Sequence, residues 1–178
     1  MNYHDPVMLA ECIEGLGIQQ NGIYVDVTFG GGGHSKAILD KLGGDGKLIA
    51  FDQDPDAEAN RIEDSRFTLV KDNFRNMAEQ LQTRNSLPVN GILADLGVSS
   101  HQFDVAERGF SIRFEHNMDM RMDTRSGITA LEILNTYSEK ELVNIFSNYG
   151  EVKNSKTLAA VIVQKRNKQP YSNSAELR

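Results

Sequence analysis

Apolar residues in the first half of the chain alternate between short continuous runs and segments with helical spacing. Residues 7–16 place their apolar side chains at helical spacing and stop before Gly17, which predicts a short amphipathic helix. Four short runs rich in β-branched and aromatic residues predict strands, and the segments between them predict helices. The predicted strands lie within residues 22–29, 47–54, 66–74 and 89–95, and the predicted helices within residues 34–44, 54–64 and 76–85.

This alternation predicts the fold class. Strands that alternate with helices favour a parallel sheet, because each crossover returns the chain to the same end of the sheet. Such crossovers are almost always right-handed, and their helices cover both faces of the sheet. We therefore expect an α/β fold with a parallel sheet in the first part of the chain.

The pattern changes near residue 104, where periodicity is lost until about residue 129. The later segments predict helices within residues 130–135, 138–150 and 155–169, with Ser138 as an N-cap and Gly150 as a stop, and another helix begins at residue 172. We therefore predict a core domain over residues 1–103, followed by a connecting segment and a helical domain over residues 104–178. Open nucleotide-binding sheets usually have more than four strands, so we expect this chain to be part of a longer protein.

The composition is that of a soluble globular protein. Apolar residues make up 39% of the chain and charged residues 25%, unlike a disordered chain. Cys12 is the single cysteine, and no cysteine or histidine has the spacing of a zinc site, so we expect no disulfide and no metal. The chain has neither a basic leader nor an apolar run long enough to cross a membrane, which favours a cytoplasmic protein.

The net charge of -6 argues against nucleic-acid binding through bulk electrostatic attraction, because phosphate contacts come from clustered Lys and Arg. Any nucleic-acid site is therefore expected to be local. The best local candidates are Arg108, Arg113, Arg121 and Arg125, although the acids interleaved with them suit a solvated surface equally well.

Four consecutive glycines, Gly30 to Gly33, follow the first predicted strand and precede a helix. Such a turn lets the backbone approach a ligand, and the helix N-terminus adds N–H groups and the positive end of its dipole. This arrangement suits a nucleotide-like cofactor. It does not fit the dinucleotide pattern G-x-G-x-x-G, since position 35 is Ser35, and this weakens the case for NAD.

Three acidic residues belong to the predicted strand ends. Asp52 ends the second strand about twenty residues after the loop, where a carboxylate can accept hydrogen bonds from two ribose hydroxyls. Asp26 precedes the loop and either faces a cofactor ammonium group or fixes the loop by hydrogen bonds. Asp95 ends the fourth strand, and carboxyl ends of parallel strands border the ligand crevice, so we expect the chemistry there.

Two further residues are candidates for the cofactor site. His34 follows the glycines, where it is suited to contact the cofactor or to hold the loop rather than to act as a base. Phe74 closes the third strand and could pack against an adenine ring, although a lone Phe is more often a core residue.

A series of segments extends from His4 to the end of the chain: HDPVMLAE, DVTFGGGGHS, AFDQDPDA, DNF, GILADLGVSSHQFD, ERGFS, MDMRMD and YGE. In order and spacing they resemble the MraW-like bacterial methyltransferases of 16S ribosomal RNA, which methylate N4 of a decoding-region cytidine. The combination of DLGVSS, RGFS and DMRMD is one that we associate with no other family.

The resemblance implies a Rossmann-like class I core that uses S-adenosylmethionine, interrupted by an α-helical insertion domain. It implies 16S rRNA or the small ribosomal subunit as the partner, and it implies that C-terminal core strands of the family are absent from this chain. Asp95 is the expected catalytic residue, as an acceptor for the target amine. The implied cofactor contacts are Gly32, Gly33, His34, Asp52, Phe74, Asp95 and Gln102.

Two other functions stay open. An NAD-dependent oxidoreductase shares the strand, glycine turn and following acid, although the loop sequence disfavours it. A catalytically inactive fragment would instead act as a binding module for RNA or a partner, without the cofactor. The sequence also leaves open whether the chain forms a homo-oligomer.

Overall fold

The computed structural model describes residues 6–125 and 127–177, so His4 and Asp5 of the first family-like segment and the last residue of the chain lie outside the described residues. A four-stranded parallel sheet forms the first part, with strand order β3-β2-β1-β4. Its strands are β1 (Ile23–Asp26), β2 (Lys47–Phe51), β3 (Phe67–Val70) and β4 (Gly91–Leu93). The predicted α/β fold with a parallel sheet is confirmed.

Helices cover both faces of this sheet. The face formed by Tyr24, Leu48 and Phe67 packs against α1 (Leu9–Leu16) and α2 (Gly33–Lys41). The opposite face, which includes Val25 and Ile49, packs against α3 (Met77–Thr83) through the buried Leu81. Residues alternate between the two faces because successive side chains of a strand point in opposite directions. Both faces are apolar, as expected for a parallel sheet between helices.

The second part of the described chain is helical. Its helices are α4 (Ser100–Asp104), α5 (Ala130–Thr136), α6 (Glu139–Asn148) and α7 (Ser155–Arg166). Capping boxes start α5 and α6, with Thr129 and Glu132 in one and Ser138 and Glu141 in the other, so the predicted N-cap at Ser138 is confirmed. The helices enclose a separate core: Met118, Leu134, Leu142, Ala159, Ile162 and Tyr171.

Three elements differ from the predicted pattern. The helix predicted after β2 is a short 3₁₀ helix, Pro55–Asn60, and another 3₁₀ helix, Ser174–Leu177, replaces the predicted last helix. The helix α4 was not predicted, although its capping box follows the S-x-x-Q pattern with Ser99 and Gln102. Asp54 caps the first 3₁₀ helix and Pro55 opens it, but Arg61 is extended and ends it after six residues.

The chain divides into two compact units. The first unit ends at Gly97 and also takes in Met122–Thr124, and the second consists of Val98–Arg121 and the chain from Arg125 onward. The predicted division into a domain of residues 1–103 and a domain of residues 104–178 stays a prediction. Among the described residues no helix is both long and apolar enough to span a lipid bilayer.

Gly109 lies at a close approach between two backbone segments of the second unit. It has a φ of +73°, and a Cβ at this position would lie 2.7 Å from both the carbonyl oxygen of Asn117 and the amide nitrogen of Asp119. The Met120 N–H donates to the carbonyl oxygen of Arg108 at 2.9 Å beside it. The RGFS and DMRMD segments are therefore packed backbone to backbone, which only glycine permits at residue 109.

We expect Gly109→Ala to destabilise the protein more than Gly127→Ala. Both glycines have positive φ, but a Cβ on Gly127 (φ +82°) meets nothing within 4 Å. Backbone strain alone should cost about 1–2 kcal/mol at Gly127, and the steric overlap should add about 1–3 kcal/mol at Gly109. Denaturant unfolding of both variants measures the difference, and equal losses would show that the close approach is not required.

Candidate functional site

The segments that follow the four strands meet at the carboxyl edge of the sheet. The strand β4 lies on the opposite side of β1 from β2, so the direction of winding reverses between β1 and β4. Ligands of open α/β sheets bind at such a switch point. Six predicted site residues follow these strands: Gly32, Gly33, His34, Asp52, Phe74 and Asp95. We take this edge as the candidate site.

The glycine loop turns the chain from β1 into α2. Gly30 and Gly32 have φ values of +50° and +76°, which favour glycine. A Cβ on Gly32 would lie 2.9 Å from the ring of Phe29, and the Gly32 N–H donates to the Phe29 carbonyl oxygen at 2.7 Å. The loop itself therefore requires glycine at residue 32.

The carboxylate of Asp52 joins the glycine loop to the end of β2. Its Oδ2 accepts the Gly30 N–H and its Oδ1 accepts the Asp54 N–H, both at 2.8 Å. Burial raises the pKa of Asp52, while these two hydrogen bonds oppose the rise. The backbone N–H of Gln53 also opposes the rise, so three backbone donors engage this carboxylate. A carboxylate has about four acceptor positions, which leaves about one for a hydroxyl donor.

The segment before α1 packs over the start of α2. A Cβ on Gly33 would lie 2.3 Å from Cγ of Pro6. The buried His34 has its Nε2 3.0 Å from the carbonyl oxygen of Val7, a contact in which the Nε2–H tautomer donates. His34 therefore holds this segment against the loop, and the cofactor contacts of Gly32, Gly33 and His34 stay predictions.

Asp26, at the end of β1, is fully buried with 0% exposure. Its Oδ2 accepts the Ser35 hydroxyl at 2.7 Å, and its Oδ1 accepts the Thr28 N–H at 3.0 Å. Burial raises the pKa of Asp26, and the bonds from Ser35 and Thr28 and the nearby His34 oppose the rise. Of the two roles that the sequence left open, these bonds support fixing the loop.

Asp95, the predicted catalytic residue, lies two residues after β4 and has an exposed side chain. Its backbone N–H donates to Oγ1 of Thr28 at 2.8 Å. The Val27 N–H, one residue before Thr28, donates to the carbonyl oxygen of Leu93, two residues before Asp95, at 3.0 Å. The Thr28 hydroxyl thus bridges the switch point and positions the backbone of Asp95.

Phe74 begins a 3₁₀ helix after β3 and is 42% exposed, so its ring is accessible to a flat ligand. Asn73 caps this helix by accepting the Arg75 N–H at 2.9 Å, and its Nδ2 donates to Oε1 of Gln53 at 2.7 Å. This pair ties the segment after β3 to the segment after β2. The contact of Phe74 with adenine stays a prediction.

Gln102 belongs to the second unit, in α4. Its Oε1 accepts the Ser99 N–H at 3.1 Å, while its own N–H donates to the Ser99 hydroxyl at 3.2 Å. The side chain is 5% exposed. Its described role is to start α4, and its contact with a cofactor stays a prediction.

The arginine cluster is largely engaged within the second unit. Arg108 is 5% exposed and donates to the carbonyl oxygen of Arg121 at 2.9 Å. Arg121 forms a two-point pair with Asp119, at 2.9 and 2.7 Å, and Arg113 pairs with Asp104 at 2.8 Å. The sequence suggested that Arg108 either binds phosphate or lies on a solvated surface. Its side chain is instead buried and stabilises the fold through its hydrogen bond to the Arg121 carbonyl oxygen.

Sequence reasoning missed Thr28 and Ser35 as site residues. Both carry hydroxyl groups, and they stand on either side of the glycines in DVTFGGGGHS, which is the signal that the sequence offers. In the structure both donate hydrogen bonds to the buried Asp26. Among the described residues no group of three metal-binding side chains occurs.

A cavity of about 260 Å³ lies elsewhere, lined by Lys47, Arg66 and Arg84 among others. It borders the amino-terminal ends of β2 and β3, the edge opposite the glycine loop. Arg66 is already paired with Asp64 at 2.6 Å, which lowers the pKa of Asp64 to about 2. The topology and the hydrogen bonds place the candidate site at the carboxyl edge instead.

Comparison with known proteins gives a match over the whole chain. The model of the MraW methylase family matches residues 1–178. A protein named ribosomal RNA small subunit methyltransferase H from Flavobacterium johnsoniae is 53% identical over 178 residues, covering 100% of this chain and 59% of the relative. A protein of the same name from Phocaeicola vulgatus is 57% identical over 164 residues, covering 92% of this chain and 54% of the relative.

The chain thus spans less than two thirds of the length of these curated relatives. Among solved structures, one described as a "putative methyltransferase from antibiotic biosynthesis pathway" of Anabaena variabilis aligns with 82% of this chain and 61% of its own, at 14% identity and a TM-score of 0.40. A TM-score this low supports no conclusion about the fold or the function of the chain.

We expect Thr28→Val to release the Asp95 backbone, whereas Thr28→Ser should keep it in place. Valine matches threonine in shape but cannot accept the Asp95 N–H, so amide exchange at Asp95 should quicken and the free energy of unfolding should fall by about 0.5–1.5 kcal/mol. Amide exchange by NMR measures the first effect and denaturant unfolding the second. Thr68→Val, at an exposed residue of β3, is the control. Unchanged protection of Asp95 in Thr28→Val would refute the bridge.

The raised pKa of Asp26 has a consequence for stability against pH. Above the raised pKa the buried carboxylate is charged and costs stability, and this cost disappears as the pH falls through that pKa. We expect Asp26→Asn to gain free energy of unfolding relative to wild type at a pH above the raised pKa, and the gain to shrink as the pH falls from that pKa toward the ordinary carboxyl value of 3.8. Denaturant unfolding across that range checks this, with Asp45→Asn, an exposed acid, as control. A gain that grows on acidification would contradict the sign.

Proposed function

Because the chain belongs to the MraW methylase family, we propose that it uses S-adenosylmethionine to methylate N4 of a cytidine in the decoding region of 16S ribosomal RNA. The observation that carries this proposal is the Asp52 carboxylate, 2.8 Å from the Gly30 N–H, at the same sheet edge as Asp95. In this proposal Asp52 holds the ribose, and the exposed Asp95 meets the target base. The names of the relatives support the RNA substrate.

The residues at this edge fit the cofactor. Asp52 keeps acceptor capacity for a ribose hydroxyl beside its three backbone donors, and the exposed ring of Phe74 offers a face for adenine. The N-terminus of α2 follows the glycine loop, and its free N–H groups favour polar or anionic groups. When bound, S-adenosylmethionine supplies a methyl group activated by a sulfonium.

Asp95 performs the proton chemistry in this proposal. The exocyclic amine of cytosine is a weak nucleophile, because its lone pair is delocalised into the ring. A carboxylate that accepts a hydrogen bond from this amine localises the lone pair. Asp95 would take up the proton that the nitrogen loses when the activated methyl group is transferred to it. Thr28 holds the Asp95 backbone in position for this step.

The RNA must present an unpaired base. Extruding a base from a helix costs about a few kcal/mol, which favours loops and single-stranded targets. The exposed position of Asp95 suits a base that has left its stack.

The first experiment measures binding of S-adenosylmethionine to the chain by isothermal titration calorimetry. A separate titration with NAD tests the alternative function. We expect saturable binding of S-adenosylmethionine alone, and we expect Asp52→Ala to weaken it about 10-fold or more through the loss of charge-assisted hydrogen bonds. Asp56→Ala, an exposed acid in the same turn, should bind within about twofold of wild type. NAD binding would favour an oxidoreductase, and binding of neither ligand by the folded chain would favour a non-catalytic module.

The second arm of this experiment measures transfer of a labelled methyl group to 16S rRNA and to small ribosomal subunits. Asp95→Ala should lower the rate about 10²–10⁴-fold, the usual contribution of a general base. Its cofactor affinity is titrated separately, so that a loss of binding is told apart from a loss of chemistry. Full methylation by an Asp95→Ala protein would rule out the proposed catalytic role.

A further inference from the structure

Charge is strongly segregated along this chain. Residues 152–175 contain five Lys and Arg and no Asp or Glu. The rest of the chain therefore holds 14 Lys and Arg against 25 Asp and Glu. The basic segment is built around α7, in the second unit.

Two of its five cations hold the fold. The guanidinium of Arg166 donates to the carbonyl oxygens of Leu134 and Tyr137. The Lys165 ammonium donates to the carbonyl oxygen of Glu176 and lies 5.0 Å from the centre of the Tyr171 ring. These two side chains are turned toward the body of the helical unit.

The other three cations, Lys153, Lys156 and Lys168, are exposed, and we call them the α7 basic face. Within residues 6–125 and 127–177, none of the three side chains has a hydrogen bond or ion pair. Their charges are therefore not neutralised by a defined acid of this unit.

Helix geometry relates two of these cations. Lys156, Ala160, Gln164 and Lys168 recur every fourth residue, so they form a row that winds around the helix by about 40° per step, and all four are exposed. The Asn167 backbone is still helical after the last residue of α7, which carries the row to Lys168. Lys153 adds a third charge just before the helix. At 1.5 Å per residue, Lys156 and Lys168 are about 18 Å apart.

Such a row fits a polyanion with regularly spaced charges. Small and uncharged side chains between the cations let a nucleic-acid backbone approach the helix, and lysine ammonium groups contact phosphates without reading sequence. We propose that the α7 basic face binds the phosphate backbone of the RNA substrate. This inference rests on the proposed function for the identity of the RNA, but its test measures RNA binding alone.

The test compares two triple variants of the chain that carry the same net charge. One changes Lys153, Lys156 and Lys168 to Gln, and the control changes the exposed Lys41, Lys47 and Lys140 to Gln. Each lowers the net charge of -6 by three units. Affinity for a labelled decoding-region hairpin of 16S rRNA is measured by fluorescence anisotropy between about 50 and 200 mM salt.

We expect the face variant to lose at least about 10-fold in affinity, and the slope of log affinity against log salt to shrink by about one for each lost phosphate contact. The control should stay within about twofold of wild type. Equal losses in both variants would overturn the proposal, since bulk charge would then explain them. Unchanged binding in the face variant would overturn it as well.

Cofactor titration and thermal unfolding of the same variants separate this proposal from the preceding one. The face variant should keep the wild-type affinity for S-adenosylmethionine and melt within a few degrees of wild type, because exposed Lys→Gln changes cost little stability. If the wild-type chain does not bind the cofactor, the proposed function is contradicted. The RNA-binding comparison would still test the α7 basic face, because it does not depend on the cofactor. Weaker RNA binding together with unfolding of the face variant alone would refute a surface role.

Discussion

The burial of the Asp26 carboxyl group is the constraint on which the site depends. A charged group removed from water must be compensated by hydrogen bonds, and here the donors are the Ser35 hydroxyl and the Thr28 N–H. Ser35 lies in α2 and Thr28 in the segment after β1, so one buried side chain fixes both ends of the glycine loop. Thr28 then holds the Asp95 backbone across the switch point. Loosening Asp26 would therefore disturb both acids of the proposed reaction.

The parallel sheet and its glycine turn were predictable from sequence because they depend on local signals. Buried strands are continuous apolar runs, and Gly30 to Gly33 mark a turn whatever surrounds them. The bond from Asp95 to Thr28 joins residues 67 positions apart, and nothing in a periodic pattern reports it. Similarly, the arginine cluster suggested a surface, whereas Arg108 is buried, because a charge pattern does not reveal which side chains turn inward.

The glycines show why a ligand motif has to be tested against its own fold. Gly32 must be glycine because of the Phe29 ring, and Gly33 because of Pro6. Both requirements arise within the protein, before any ligand is considered. His34 is likewise engaged with Val7. What suits this edge to the proposed cofactor is the combination of a tight loop with an acid, Asp52, that keeps some acceptor capacity after fixing that loop.

An acidic protein can still bind a polyanion when its charges are segregated. At physiological ionic strength the Debye length is about 8 Å, so exposed charges farther apart than this interact weakly. Lys156 and Lys168 are about 18 Å apart along α7 and share a row that carries no acid. The acidic surplus belongs to the chain outside residues 152–175, and it can disfavour approach of RNA to other surfaces. The distribution of charge, rather than the net charge, therefore determines which surface repels a nucleic acid and which surface attracts it.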